Sequence, residues 1–144
     1  MNTQNYKHCT PIQIRFSDLD PLKHVNNACY LNYCETGRVS YFTDVFKNEI
    51  DWIEKGFILA RTEMDHLEPL FLNDELHCYT RISKIGTKSI TVKNILVKKV
   101  ADKQIECAHA IGILVAMNYR TQESIELPTA WVELIRKFEG NTLE

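Results

Sequence analysis

The chain has 144 residues, of which 44% are apolar and 25% charged, and this composition is that of one soluble globular domain spanning residues 1–144. A formal charge of −2 and a pI near 6.2 disfavour nucleic acid as the main partner, because phosphate binding requires a basic surface. The polar start MNTQNYKHCT is no signal peptide, no apolar run reaches membrane-spanning length, and five cysteines lack a disulfide-scaffold spacing, so we expect a cytoplasmic protein.

The first predicted element is a strand. In TPIQIRFSD, residues 10–18, apolar Ile12, Ile14 and Phe16 alternate with polar neighbours, which is the period of a strand with one buried face. The Asp20-Pro21 pair that follows is typical of a turn.

A helix is predicted from about His24 to Lys47. Most of its positions are apolar or small, and we expect it to be buried over most of its circumference. Its narrow polar stripe consists of Asn32, Thr36, Ser40, Thr43 and Lys47. Glu35 and Arg38, three residues apart, are expected to form an ion pair on its surface.

The second half of the chain predicts antiparallel strands and a closing helix. Short turns separate β-branched runs at 57–71, 74–85, 88–100 and 104–118, and the last run is apolar on both faces, which predicts a central strand. A helix should begin near Pro128 and stop near Gly140. The expected architecture is therefore α+β, with one long buried helix wrapped by a roughly five-stranded antiparallel sheet, plus a C-terminal helix. Open sheet edges would favour a homodimer.

A candidate reaction centre lies at residues 18–27, DLDPLKHVNN, between the first strand and the long helix. An aspartate here could simply cap the helix or close the Asp-Pro turn. It could also take part in acyl transfer, since free amides at a helix start stabilise a carbonyl oxygen that gains negative charge. The residues alone leave both roles open.

The stretch IRFSDLDPLKHVNNACYLNYCETGRVSYF resembles the signature of the hotdog-fold acyl-CoA thioesterases of the 4-hydroxybenzoyl-CoA thioesterase type. It is also similar to the D-x-N-x-H-V-N-N segment of the acyl-ACP thioesterases. Downstream, LEPLFLNDELHCYTRISKIGTKSITVKNILV and IELP match the family's order and spacing. The resemblance covers roughly residues 10–130 and implies a hotdog fold, which commonly assembles as a homodimer or as a homotetramer built from two dimers.

The resemblance also implies catalytic residues. Asp20 falls at the position of the catalytic carboxylate, and the Asn27 amide, in the first helical turn, would polarise the thioester carbonyl. His24 matches an assisting histidine of the acyl-ACP branch. Leu22 stands where that branch has an asparagine, which favours the CoA branch, and Asp18 is expected to be a supporting hydrogen-bonder.

Residues 81–103 carry seven cations against Asp102 alone. In the CoA branch, cations at the turn before the fourth strand approach the nucleotide phosphates, and here Lys84, Lys88 and Ser89 fall near that place. A solvated strand face is the alternative.

Three functions remain open from the sequence. The first is hydrolysis of an acyl-CoA, or of an acyl-ACP, with Asp20 as nucleophile or general base and with no cofactor. The second is enoyl-CoA hydration, with Asp18 and His24 as the acid–base pair. The third is a non-catalytic acyl-binding module. Cys107 and His109 share a strand face but lack two further spaced ligands, so no metal site is predicted.

Overall fold

The structure, a computed structural model, describes residues 2–144. The helices in this part of the chain are α1 (Asn27–Phe46) and α2 (Thr129–Glu139). The strands are β1 (His8–Ile12), β2 (Lys55–His66), β3 (Glu75–Ile85), β4 (Ser89–Val100), β5 (Lys103–Asn118) and β6 (Glu123–Ser124). Short 3-10 turns lie at Asn2–Asn5, Phe16–Asp18 and Gly140–Thr142.

One antiparallel sheet forms the framework, in the order β1-β3-β4-β5-β2, with the two-residue β6 added beside β5. β5 pairs with β4 on one side and β2 on the other, which confirms the central position predicted from its apolar faces. Helix α1 packs across this sheet, and the α+β architecture is the hotdog arrangement that the sequence predicts. β1 and β2 are the outermost strands of the order.

The first strand is shorter than its alternation predicts. It ends at Ile12, which pairs with Leu76, the second residue of β3, so only one further residue of the partner strand remains. Beyond it, Ile14 is buried, whereas Phe16 is 81% exposed and lies in a 3-10 turn. The expected alternation therefore fails at Phe16.

Helix α1 begins at Asn27, three residues later than predicted. Lys23 has a φ of 63°, and the Val25 amide donates to the Leu70 carbonyl oxygen at 2.8 Å, so neither belongs to a helix. The Asn26 side chain then caps α1 by accepting from the Ala28 amide at 2.9 Å.

The expectation that α1 is buried nearly all round is wrong for the single chain. Its inner face packs on the sheet through residues such as Tyr33 and Tyr41, but Leu31, Glu35 and Val39 remain exposed. The sheet covers only one side of the helix.

Gly37 sets how closely α1 approaches the sheet. A Cβ at this position would clash with Cys78 Sγ and would lie 2.8 Å from Thr80 Oγ1, both on β3. Only a residue without a side chain permits this contact. Two apolar clusters fill the space on either side, one around Tyr41 and Phe46 and one around Tyr33 and Leu76.

The run predicted as a strand over residues 57–71 leaves the sheet after His66. The amides of Leu67 and Glu68 both donate to the Cys107 carbonyl oxygen, and Pro69, which has no N–H, follows. Residues 67–74 therefore form a loop that lies beside the start of α1. None of the helices described in residues 2–144 is long and apolar enough to cross a membrane.

Candidate active site

The segment joining β1 to α1 is held at both ends by backbone hydrogen bonds. The Asn26 amide donates to the Asp18 carbonyl oxygen at 2.8 Å, and Leu19 forms an isolated antiparallel bridge with Val25. Between them, the Asp20 amide donates to the His24 carbonyl oxygen at 2.9 Å. Residues 20–24 therefore form a compact turn directly before the helix.

Asp18 is a structural carboxylate, as its predicted supporting role requires. It is 2% exposed and accepts hydrogen bonds from the Tyr33 hydroxyl (2.7 Å), the Arg15 amide (2.9 Å) and the Arg15 guanidinium (3.0 Å). Burial acts to raise the pKa of Asp18, but these hydrogen bonds outweigh burial and hold the pKa below its ordinary value. Burial and the bond to Asp18 raise the pKa of Tyr33, which keeps its proton as the donor.

Asp20 has a different environment. It is partly exposed, and the hydrogen bond described for its carboxylate comes from the Leu22 amide, which donates to Oδ1 at 2.9 Å. The carboxylate lines a cavity of about 550 Å³, which we call the Asp20 cavity. The other lining residues are Phe16, Leu19, Lys23, Phe71, Leu72, Asn73 and Asp74. A partly free carboxylate beside an apolar cavity can attack a bound carbonyl or activate water.

Asn27 supplies a free amide close to this turn. As the first residue of α1, its N–H has no acceptor within the helix, whereas the amides of Asn26 and Ala28 are satisfied by Asp18 and by the Asn26 side chain. The positive end of the helix dipole lies at the same place. An oxygen that gains negative charge would be stabilised here.

Within residues 2–144, no hydrogen bond is described between the His24 ring and the carboxylate of Asp18 or Asp20. Its ring packs edge-on against Phe71, with ring centroids 5.1 Å apart and planes at 89°. Its described link to Asp20 is through the two backbones. The structure thus brings His24 next to the Asp20 cavity without connecting it to a carboxylate.

The predicted CoA-binding residues lie at the opposite end of the sheet. Lys84, Lys88 and Ser89 occupy the β3–β4 hairpin, where the Gly86 amide donates to the Ser89 carbonyl oxygen and Lys88 Nζ donates to Ser124 Oγ at 3.3 Å. β3 begins beside the Asp20 cavity and runs away from it for 11 residues, a length of roughly 35 Å at the usual strand rise. Within one chain these residues do not meet Asp20.

The loop 67–74 contributes residues that the sequence reasoning missed. Phe71 and Asp74 line the Asp20 cavity, and the buried Lys98 fastens this loop by donating to the Pro69 carbonyl oxygen at 2.7 Å, with Asp74 Oδ2 3.6 Å away. The Lys98 ammonium also lies over the Phe71 ring, 5.4 Å from its centroid. Pro69 inside a predicted strand was the available signal, because proline interrupts sheet pairing.

The ion pair expected on α1 is not formed among the described residues. Glu35 is exposed and Arg38 is buried, and the surface ion pair predicted between them is absent from the ion pairs described for residues 2–144. No three His, Cys, Asp or Glu side chains in that range gather as a possible metal site.

Comparison with known proteins identifies the family. The family model described as the thioesterase-like superfamily matches residues 14–135. The chain belongs to this superfamily. The match includes the whole candidate site, and it confirms the relationship predicted from the motif at residues 14–42.

Two relatives are similar to the chain over most of its length. The chain is 30% identical over 115 residues to the chloroplastic acyl-acyl carrier protein thioesterase ATL3 of Arabidopsis thaliana, covering 78% of this chain but only 60% of that protein. It is 23% identical over 121 residues to the long-chain acyl-CoA thioesterase FadM of Escherichia coli, covering 82% and 89% of the two chains.

A solved thioesterase-like structure confirms the fold. The thioesterase from Thermus thermophilus, complexed with coenzyme A and Zn, superposes with a TM-score of 0.83 at 31% sequence identity. The superposition covers 95% of this chain and 97% of that one. The arrangement of the sheet and α1, and this superposition, therefore both show the hotdog architecture predicted from the sequence.

Proposed function

We propose that the chain is an acyl-CoA thioesterase, which hydrolyses the thioester to a free carboxylic acid and CoA. The observation that carries this proposal is a partly free carboxylate, Asp20, in the turn directly before α1, whose first amide, that of Asn27, has no acceptor described within residues 2–144. A thioester hydrolase needs a group that attacks or activates water and a group that stabilises the carbonyl oxygen. Superfamily membership and the names of FadM and the CoA-bound Thermus thermophilus protein support the same reaction.

Asp20 would act by one of two routes. As nucleophile, it would attack the carbonyl carbon, expel the CoA thiolate and form a mixed anhydride that water then hydrolyses. As general base, it would take a proton from water while the water oxygen attacks the same carbon. In both routes the Asn27 amide faces the carbonyl oxygen, the departing thiolate takes up a proton, and His24 is auxiliary.

The CoA moiety requires a second protomer in this proposal. Lys84, Lys88 and Ser89 would contact the nucleotide phosphates, but within one chain they lie a sheet length away from Asp20. A homodimer, or a tetramer of two dimers, would allow one protomer's hairpin to serve its partner's Asp20. The outermost position of β2 and the exposed face of α1 offer surfaces for such pairing. We place the protein in the cytosol, where free thiols such as its five cysteines persist.

An acyl-ACP substrate is the second candidate, because the Arabidopsis relative is named as an acyl-ACP thioesterase. Hydration of an enoyl-CoA is less well supported, since Asp18, its required acid or base, is buried and held by Arg15 and Tyr33.

A thiol-release screen across acyl-CoAs of different chain lengths and one acyl-ACP tests the proposal. We expect hydrolysis of at least one thioester by the wild type, and a fall in kcat of about 10²- to 10⁴-fold in Asp20→Asn. Near wild-type kcat in Asp20→Asn would contradict the assignment. Single-turnover hydrolysis in ¹⁸O-water tests for the covalent route, because label enters the Asp20 carboxylate only when water attacks the Asp20 carbonyl of a mixed anhydride.

A further inference from the structure

A second cavity, of about 370 Å³, lies beside the middle of α1 and the start of β2. We call it the Arg38 cavity. Its volume is within the range of small-molecule sites. Its apolar lining consists of Val39, Phe42, Trp52, Phe57, Leu59 and Leu114.

Arg38 is the cation of this cavity, and no anionic partner is described for it within residues 2–144. The residue is only 8% exposed, yet within residues 2–144 its guanidinium has no described hydrogen bond and no carboxylate within 4.0 Å. The positive charge of Arg38 acts to lower the pKa of the nearby thiols of Cys34 and Cys78. Glu35 lines the cavity from the exposed side of α1 without forming an ion pair.

The Arg38 nitrogens are not among the fully buried polar atoms without a partner in residues 2–144, so the guanidinium opens to the cavity, where a bound anion would supply a counter-ion. Its planar fork of N–H donors matches a carboxylate, which can accept two parallel hydrogen bonds. The aromatic rings beside Arg38 pack against one another. The Phe42 ring stacks on Phe57 with centroids 5.5 Å apart, and its centroid lies 5.7 Å from that of Trp52. We propose that the Arg38 cavity binds a carboxylate carried on an apolar body.

This site is distinct from the Asp20 cavity within one chain, because the two share no lining residue. Arg38 is also 11 residues along α1 from Asn27, a distance of roughly 16 Å at the usual helical rise. The carboxylate can come from two sources. It can belong to a free carboxylic acid, or it can be the distal carboxylate of an ω-carboxyacyl thioester.

The first experiment measures binding of phenylacetate and of its neutral analogue phenylacetamide by calorimetry, with Trp52 fluorescence as a second signal. We expect saturable binding of phenylacetate to the wild type. Binding should weaken about 10- to 100-fold for phenylacetamide and for Arg38→Gln, the loss expected for a charge-assisted hydrogen bond. Arg136→Gln removes the same charge from an exposed position on α2 and should bind phenylacetate as the wild type does.

Three results would overturn the proposal. The first is equal affinity for the acid and the amide, and the second is unchanged phenylacetate affinity in Arg38→Gln. The third is that Arg38→Gln changes protomer association, measured by sedimentation, but does not change ligand affinity. That result would assign the guanidinium to an interface between copies of the chain. If Arg38→Gln fails to fold, the acid–amide comparison on the wild type and the variant Arg38→Lys decide the question.

A second experiment separates the two sources and rests on the proposed thioesterase function. Each ω-carboxyacyl-CoA of a length series is compared with the plain acyl-CoA of equal length in thiol release. If the wild type prefers the ω-carboxyl substrate in kcat/KM and Arg38→Gln does not, the site binds the distal carboxylate of the substrate. If the wild type shows no such preference but binds phenylacetate, the site binds a free acid. Absence of thiol release from every thioester would refute the proposed function, while the binding experiment would still test the Arg38 cavity.

Discussion

Exchange of Asp18 for asparagine should lower stability, whereas exchange of Asp20 should lower activity and leave stability unchanged, although the two residues are only two positions apart. Asp18→Asn keeps one acceptor oxygen but places an NH₂ group against the donors Tyr33 and Arg15. Each hydrogen bond to a charged group contributes about 1.5–3 kcal/mol to stability. Loss of one such bond and weakening of another should therefore lower the free energy of unfolding by about 2–3 kcal/mol. At about 3 °C per kcal/mol in a domain of this size, the Tm should fall by about 6–9 °C.

Asp20→Asn should leave stability within about 0.5 kcal/mol of the wild type, because its carboxylate is partly exposed and Oδ1 can still accept from the Leu22 amide. The assay is urea unfolding followed by Trp fluorescence, run beside thiol release on both variants. Loss of activity in Asp18→Asn with unchanged stability would refute the reasoning, and so would a large stability loss in Asp20→Asn. Tyr33→Phe, combined with Asp18→Asn in a double-mutant cycle, tests whether the two changes share one interaction.

The remaining predictions concern pH, packing and the helix cap. The pKa of folded Asp18 lies below its ordinary value of 3.8. The carboxylate therefore stabilises the fold above that pH, and this contribution is lost as the pH falls through the folded pKa. In urea titrations, the difference in free energy of unfolding between the wild type and Asp18→Asn should become smaller on acidification. Gly37→Ala should lower the free energy of unfolding by about 1–3 kcal/mol in the same assay, because its Cβ would clash with β3. Gly112→Ala should cost less, because its Cβ would come no closer than 3.2 Å to a neighbour, the movable Leu59 side chain; equal costs would contradict the packing account. Asn26→Ala should cost about 1 kcal/mol through loss of the α1 cap, with Asn26→Asp close to wild type.

Local sequence patterns predicted the elements whose boundaries are set locally. Apolar residues on both faces of the run 105–117 indicated a central strand, and β5 has that position. Boundaries fixed by distant partners could not be read. β1 stops at Ile12 because β3 has little further length to pair with it, and α1 starts late because the Val25 amide bonds to Leu70, 45 residues away in the chain.

The candidate site shows the same division. The motif indicated Asp20 as the catalytic candidate and Asp18 as a supporting residue, and the structure places Asp20 at a cavity and Asp18 among donors. It could not indicate that Phe71 and Asp74 would line that cavity, because their loop returns to it only through the folded sheet. The unpaired state of Arg38 was equally hidden, since spacing along a helix places Glu35 nearby but does not fix where either side chain points.

The turn between β1 and α1 has a consequence for how such proteins can diversify. The backbone bonds that fasten it, from Asn26 to Asp18 and from Val25 to Leu70, lie outside residues 20–24, and its tip, Leu22, is 76% exposed. Insertions or deletions at the tip would leave the core, the helix cap and the sheet register intact. The exposed residues between Asp20 and His24 can therefore change in number and sequence, while the flanking hydrogen bonds preserve the stability of the domain.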